Sequence, residues 1–221
     1  MFTRNQKGFT LVEIAVVLVI VGLLIGGVLK AQEMITNAKL KRIESDSAGI
    51  AAAMFSYRDR YYQLPGDDRN AIQRFQVYNA FSQANGNGNG SIGLGNDWNK
   101  NTATAWTNGG EETLKFFAHL RAAGLIPGEG RDDTRPTNAF GGQIGIQHGA
   151  LLLSGHVLIF GAIEGPIAQV IESRIDDGVP DSGRIQSDLV GQSMNAQDSS
   201  GTGSSVSAYS DSQRYNMAFR L

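Results

Sequence analysis

No cysteine occurs among the 221 residues, so disulfides, thiolate metal sites and a cysteine nucleophile are excluded, although this alone does not fix the compartment. Proline is scarce, and none of the five stands before Pro65, so nothing of that kind interrupts a helix in the first third of the chain. An excess of positive charge is also missing. With 19 Lys and Arg against 21 Asp and Glu, the net charge of −2 provides no broad basic surface to recruit nucleic acid or anionic lipid. The three histidines are far apart in sequence. No Gly-x-Ser-x-Gly elbow, His-Glu-x-x-His helix or phosphate loop ending in Lys-Ser/Thr occurs. The expectation is a chain that is not an enzyme, with no cofactor, no metal and no small-molecule substrate. Its length suits one domain plus an appended element.

What is present is a sharp segregation of apolar residues. Residues 9–29 read FTLVEIAVVLVIVGLLIGGVL. At about 1.5 Å per helical residue this run covers a hydrocarbon thickness of about 30 Å. Its one formal charge is Glu13. Arg4 and Lys7 precede it with no acid among the first eight residues, which favours a cytoplasmic N-terminus. Lys30, Lys39, Lys41 and Arg42 beyond the run weaken that bias. A conventional secretory signal places its apolar run before the cleavage site. Here the order is inverted, with a short polar leader, MFTRNQKG, standing before the apolar helix.

The run Lys7-Gly8-Phe9-Thr10-Leu11-Val12-Glu13 closely resembles the class III signal of type IV pilins and type II secretion pseudopilins. The resemblance implies that a membrane peptidase cuts after Gly8 and N-methylates the new terminal residue, Phe9. It also implies that Glu13 pairs with the freed amino group of Phe9 on a neighbouring subunit. The physical chemistry agrees. Glycine lets a backbone approach a catalytic cleft closely, and an intramembrane carboxylate costs about 3 kcal/mol at the bilayer centre unless it is partnered. The competing reading puts Glu13 near the headgroups of an ordinary anchor, about 6 Å deep. Gly22, Gly26 and Gly27 add a small-residue face of the Gly-x-x-x-Gly kind, a weak signal by itself.

Beyond the apolar run, Leu40, Ile43, Ser47, Ile50, Met54, Tyr57 and Tyr61 repeat at spacings of three and four and predict a helix that continues to about residue 62. Pro65 and Gly66 end it. Asp67 and Asp68 are expected to cap a short helix with Ile72, Phe75 and Phe81 inward. A second helix is expected over 111–123 with Leu114, Phe117 and Leu120 inward and Gly124 as its stop. Core strands are expected over 143–147 and 150–163, and a further helix begins at Pro166 with Ile167, Val170, Ile171 and Ile175 inward. A strand over 215–221 is expected to close the sheet. The fold class is therefore α+β, a long N-terminal helix packed on an antiparallel sheet with short extra helices.

Two loops carry metal-like patterns. Residues 85–92, NGNGNGSI, mimic an EF-hand loop without its carboxylates, and Asn96 stands where the bidentate Glu belongs, so a flexible surface loop is favoured. The acidic turn over 176–183, DDGVPDSG, is a better calcium candidate, yet Asp, Gly and Pro are what solvent turns use anyway. The Ser/Gly-rich stretch over 191–213 is expected to be mobile.

The organisation expected is a cleaved leader over 1–8, a transmembrane and polymerisation helix over 9–29, an amphipathic helix over 30–62 and a globular pilin-like domain over 63–221. The implied partners are other pilin or pseudopilin subunits, the prepilin peptidase, an inner-membrane assembly platform and the lipid bilayer. The implied location is the inner membrane, single-pass with the soluble domain periplasmic, and then an envelope or surface filament of a type IV pilus or type II secretion system. The alternative is a signal-anchored monomeric module that binds glycan or DNA.

Overall fold

A computed structural model of the chain describes residues 8, 10–93, 97–99, 111–192, 194 and 206–221. Two units are distinguished, Met1–Lys41 and Arg42–Leu221. The first helix, α1, is continuous over Leu11–Tyr61, as the absence of proline allows. In the second unit its expected stripe is buried at Ile43, Ile50, Met54 and Tyr57, joined by Ala53. Grooves lined by Ser47 and Phe55 with Phe219, and by Ile50 with Ile144, place this part of the helix against the sheet. At its end Tyr62 takes a left-handed conformation, φ 57°, and the chain turns into Pro65.

Among the described residues the sheet has four antiparallel strands in the order β1-β2-β4-β3, with β1 at Ile144–Ala150, β2 at Leu153–Glu164, β3 at Ile185–Leu189 and β4 at Arg214–Arg220. Both faces are covered. On one, Val157, Ile159 and Ala218 pack with Trp98; on the other, Leu158 and Phe160 stand opposite Phe219 and Met217, with the Phe160 and Phe219 rings 5.0 Å apart. Gly145 and Gly161 let Trp98 lie this close, since a Cβ at either would press on the indole or its backbone. The strand expected over 215–221 is β4, and it lies between β2 and β3. β3 was not anticipated, because its IQSDL sequence lacks an apolar run although four of its five residues are buried.

Among the described residues, three shorter α-helices complete the fold: α2 at Ala71–Arg74, α3 at Glu112–Ala122 and α4 at Gly165–Ile175. α3 ends in a Schellman arrangement: Gly124, φ 68°, donates to Arg121 O and Leu125 donates to Leu120 O. Its burial runs all round from Thr113 to Arg121, not along one stripe, because loops wrap its polar side and take hydrogen bonds from Lys115, His119 and Arg121. On α4 the inward face is Ala168, Ile171 and Glu172, whereas Val170 and Ile175 are exposed. The expected face is thus rotated, and a carboxylate sits on the inner side.

The Leu64-Pro65-Gly66-Asp67-Asp68 segment organises one end of the second unit. Buried Asp68 accepts hydrogen bonds from Tyr57 Oη, Arg74 Nε and Asn70 N, all within 2.9 Å. Buried Asp67 accepts from Asn89 N and Gly90 N. Neither acid caps α2, whose N-cap, Asn70, makes no side-chain capping bond. The Asn/Gly loop is correspondingly not free: Arg69 donates to Asn87 O and Gly88 O, and Glu112 accepts from Asn87 N. Two of its amide oxygens face its own backbone, Asn87 Oδ1 taking Asn89 N and Asn89 Oδ1 taking Ser91 N, and Asn85 Oδ1 accepts from Ile72 N at the start of α2. Asn96 lies outside the described residues, as does 195–205 within the Ser/Gly-rich stretch.

Gly66 N donates to His119 Nδ1 at 2.9 Å, so His119 carries its proton on Nε2 and donates to Ala84 O. Burial pushes this imidazole down to about 4. The unfolded state therefore binds a proton that the folded state refuses, and His119 contributes stability above about pH 6.5 that is lost as pH falls towards 4. The contribution is about 3 kcal/mol at most. Denaturant titrations at pH 7 and pH 5 on wild type and His119→Asn should show a shallower pH dependence in the variant; equal slopes would refute the assignment. Gly66, at φ 88°, would bring a Cβ to 2.5 Å from Glu112 O. Gly66→Ala should therefore cost more than about 2 kcal/mol in the same titration.

Candidate functional site

Within the apolar run of the first unit, the polar side chains stand near its start. Gly8 is exposed and a Cβ there would meet no atom within 4 Å, so its backbone is open to approach. Phe9 lies outside the described residues. Thr10 and Glu13 are brought together by the first helical turn. Thr10 N and Thr10 Oγ1 both donate to Glu13 Oε2 at 2.9 Å, and Glu13 N donates back to Thr10 Oγ1 at 3.2 Å. This is a capping box, with Thr10 as N-cap and Glu13 three positions into the helix. It satisfies main-chain donors that otherwise have no partner in apolar surroundings. The carboxylate also faces the positive end of the helix macrodipole.

The Thr-x-x-Glu signature was legible in the sequence. In the sequence, a neighbouring subunit and the headgroups each account for Glu13 without the Thr10 contact. The structure thus gives Glu13 a role inside its own chain before any neighbour arrives.

Along the following turns the apolar side chains have nothing of their own chain over them. Leu11 is 91% exposed and Leu23 73%, and an 18-residue window of mean hydropathy 2.8 is wholly unburied. Exposure on this scale requires a non-aqueous environment or a protein partner. The helix fits a single-pass membrane anchor. Beads of charge return at its far end, where Lys30 Nζ meets Glu33 Oε2 at 2.8 Å. Gly22, Gly26 and Gly27 face open space, leaving room for a closely packed helix.

In the second unit, His148 and His156 meet across β1 and β2 with ring centroids 5.0 Å apart. Ile92 N donates to His156 Nε2, and burial with the nearby His148 and Arg58 charges pushes His156 down to about 4. Glu172 is the residue that sequence reasoning missed. It stands fully buried on α4, and burial, aided by Asp176 and Asp177, raises it to about 8. No periodicity marks it, because it occupies an apolar helix position with a polar side chain.

Removal of the Thr10 hydroxyl and removal of the Glu13 charge should separate. Thr10→Ala is expected to weaken the first turn by about 1 kcal/mol, whereas Glu13→Gln keeps an acceptor within reach. Amide exchange of residues 11–14 in detergent micelles measures this: fast exchange in Thr10→Ala and near-native protection in Glu13→Gln are expected.

No curated protein and no solved structure matches the chain. Residues 3–29 match the family described as the prokaryotic N-terminal methylation motif. Gly8, Thr10 and Glu13 all fall inside that span, and with it the chain carries the prepilin-type signal of type IV pilins and pseudopilins, the mark of a precursor of that type.

Proposed function

We propose that the chain is a structural subunit, a pilin or pseudopilin, which prepilin peptidase cuts after Gly8 and N-methylates at Phe9. The subunit then polymerises through residues 9–29 into an envelope filament of a type IV pilus or type II secretion system. The observation that carries this reading is the methylation motif joined to a helix whose apolar surface has no cover in its own chain. Before assembly the helix is a membrane anchor, with the leader cytoplasmic and the soluble unit on the other side. On extraction, other subunits and the assembly platform replace lipid around it.

Cleavage after Gly8 frees an ammonium at Phe9, four residues before Glu13. Within the subunit, Glu13 Oε2 is already engaged by Thr10. Its second oxygen is available to the ammonium of a neighbour, so helix capping and intersubunit pairing can coexist on one carboxylate. A charge pair formed out of water is stronger than one at a surface and sets the axial register of the subunits.

Mass spectrometry of membrane-extracted protein should show a chain beginning at N-methylated Phe9. An intact Met1 terminus in cells with active peptidase would refute the processing step. Glu13→Gln, which keeps the cap and removes the charge, should cut filament incorporation at least about tenfold while leaving anchoring intact. Full function of that variant as a monomer would favour the anchored glycan- or DNA-binding module instead.

A further inference from the structure

The loop over 85–90 repeats one dipeptide, as Asn85-Gly86, Asn87-Gly88 and Asn89-Gly90, and a further copy, Asn108-Gly109, lies outside the described residues. An asparagine followed by glycine can lose its side-chain amide without an enzyme. Glycine leaves the next main-chain nitrogen unshielded and its backbone free to turn towards the side chain. Whether a given pair reacts in a folded chain depends on its hydrogen bonds. The attacking nitrogen must be free of another acceptor, its peptide group must bear negative charge easily, and the side-chain carbonyl must be polarised.

The pairs differ on the first count. Gly86 N donates to Asp68 O at 2.8 Å and Gly90 N donates to Asp67 Oδ2 at 2.7 Å, whereas Gly88 N makes no hydrogen bond among the described residues. To attack, Gly86 or Gly90 must first abandon its acceptor; Gly88 gives up nothing. On the second count, Arg69 Nε donates to Asn87 O at 2.9 Å, the carbonyl of the peptide group that contains Gly88 N. A cationic donor on that oxygen stabilises the anion left when the nitrogen loses its proton. On the third, Asn89 N donates to Asn87 Oδ1 at 2.8 Å, which draws electrons from Cγ and stays bonded to the oxyanion that forms there. Asn87 is also exposed, so water and hydroxide reach it. Lys115 gives Asn85 O a comparable cationic donor, and Ile72 N and Ser91 N polarise the amides of Asn85 and Asn89, so the free nitrogen is what sets Asn87 apart.

We propose that Asn87 is a self-modification site, which in the folded protein converts through a cyclic imide with Gly88 to aspartate and isoaspartate. Gly88 N attacks Asn87 Cγ. The N–Cγ bond forms, the Cγ–Nδ2 bond breaks, and Nδ2 leaves as ammonia with the proton that Gly88 N has lost. Water then opens the ring. Addition at Cγ restores the main chain with aspartate at position 87, and addition at the Asn87 main-chain carbonyl carbon leaves the chain running through the side chain, as isoaspartate. Nothing is oxidised or reduced, and water is the only co-reactant. Either product places a new negative charge in the loop beside Glu112, whose Oε1 accepts from Asn87 N. In isoaspartate the former Asn87 carbonyl becomes the free carboxylate and the main chain gains a carbon before Gly88. That changes the spacing of Asn87 O and Gly88 O, the two oxygens that Arg69 bridges. This inference is independent of the assembly reading, because it concerns the second unit alone.

The test incubates the full-length protein in detergent micelles at neutral and mildly alkaline pH, and in parallel in denaturant, with samples digested and mapped by mass spectrometry over time. Conversion is read as the amide-to-acid mass change, with fragment spectra that resolve the positions and a chromatographic separation of aspartyl from isoaspartyl peptides. In denaturant Asn85, Asn87 and Asn89 should convert at similar rates, since nothing holds any of the glycine nitrogens. In the folded protein Asn87 should convert at least about fivefold faster than Asn85 or Asn89, the worth of the hydrogen bond that the others must first break. Its rate should rise with pH. The proposal is overturned if Asn85 or Asn89 converts as fast as Asn87 in the folded protein, or if Asn87 stays intact there while the denatured chain converts.

Discussion

The apolar surface of α1 in the first unit must be covered by something other than its own chain, and most of what distinguishes this protein follows from that requirement. Water cannot wet it without a large free-energy cost. Lipid covers it but offers the main chain no hydrogen bonds, so the helix must satisfy its own ends. Thr10 and Glu13 do so at the start, and the first close charge pair beyond the run, Lys30 with Glu33, returns the helix to a polar setting. A carboxylate that would otherwise be a defect in a spanning segment thus acts as part of the cap.

The second unit depends on a different economy, in which buried polar groups do the organising. Asp67, Asp68 and His119 are almost inaccessible, and each connects segments distant in sequence: α1 through Tyr57, α2 through Arg74, the Asn/Gly loop through Asn89 and Gly90, and Ala84 through the imidazole. Apolar packing would hold such loops loosely. Directional bonds in a low-dielectric interior hold them in one arrangement, and they remain favourable only while every member is paired.

The elements legible in the sequence were those with strong periodicity or a known terminator. The α1 stripe from Ile43 to Tyr57, the stop at Gly124, the Pro166 helix start and the two apolar strands all appear close to where the pattern puts them. What escaped was set by tertiary contacts. β3 has little apolar content and becomes a strand by pairing with β4; α4 turns a face carrying Glu172 inward; Asp67 and Asp68 serve a distant loop in preference to the adjacent helix. At the N-terminus the motif was plain, while the Thr10 bond to Glu13 needed geometry to be recognised because the same acid had a conspicuous intermolecular explanation.

The position of β4 has a consequence for how the second unit comes into being. Among the described residues it follows the other three strands in chain order, yet it is the one that joins β2 to β3. Until it arrives, β3 has no partner in the sheet and the apolar faces of β2 are only half enclosed. Emergence of the chain from its N-terminal side therefore cannot build the sheet strand by strand. The unit has to wait, largely unstructured, and then form its long-range pairings in a single late event, a topology that favours slow folding and prolonged exposure to chaperones and proteases.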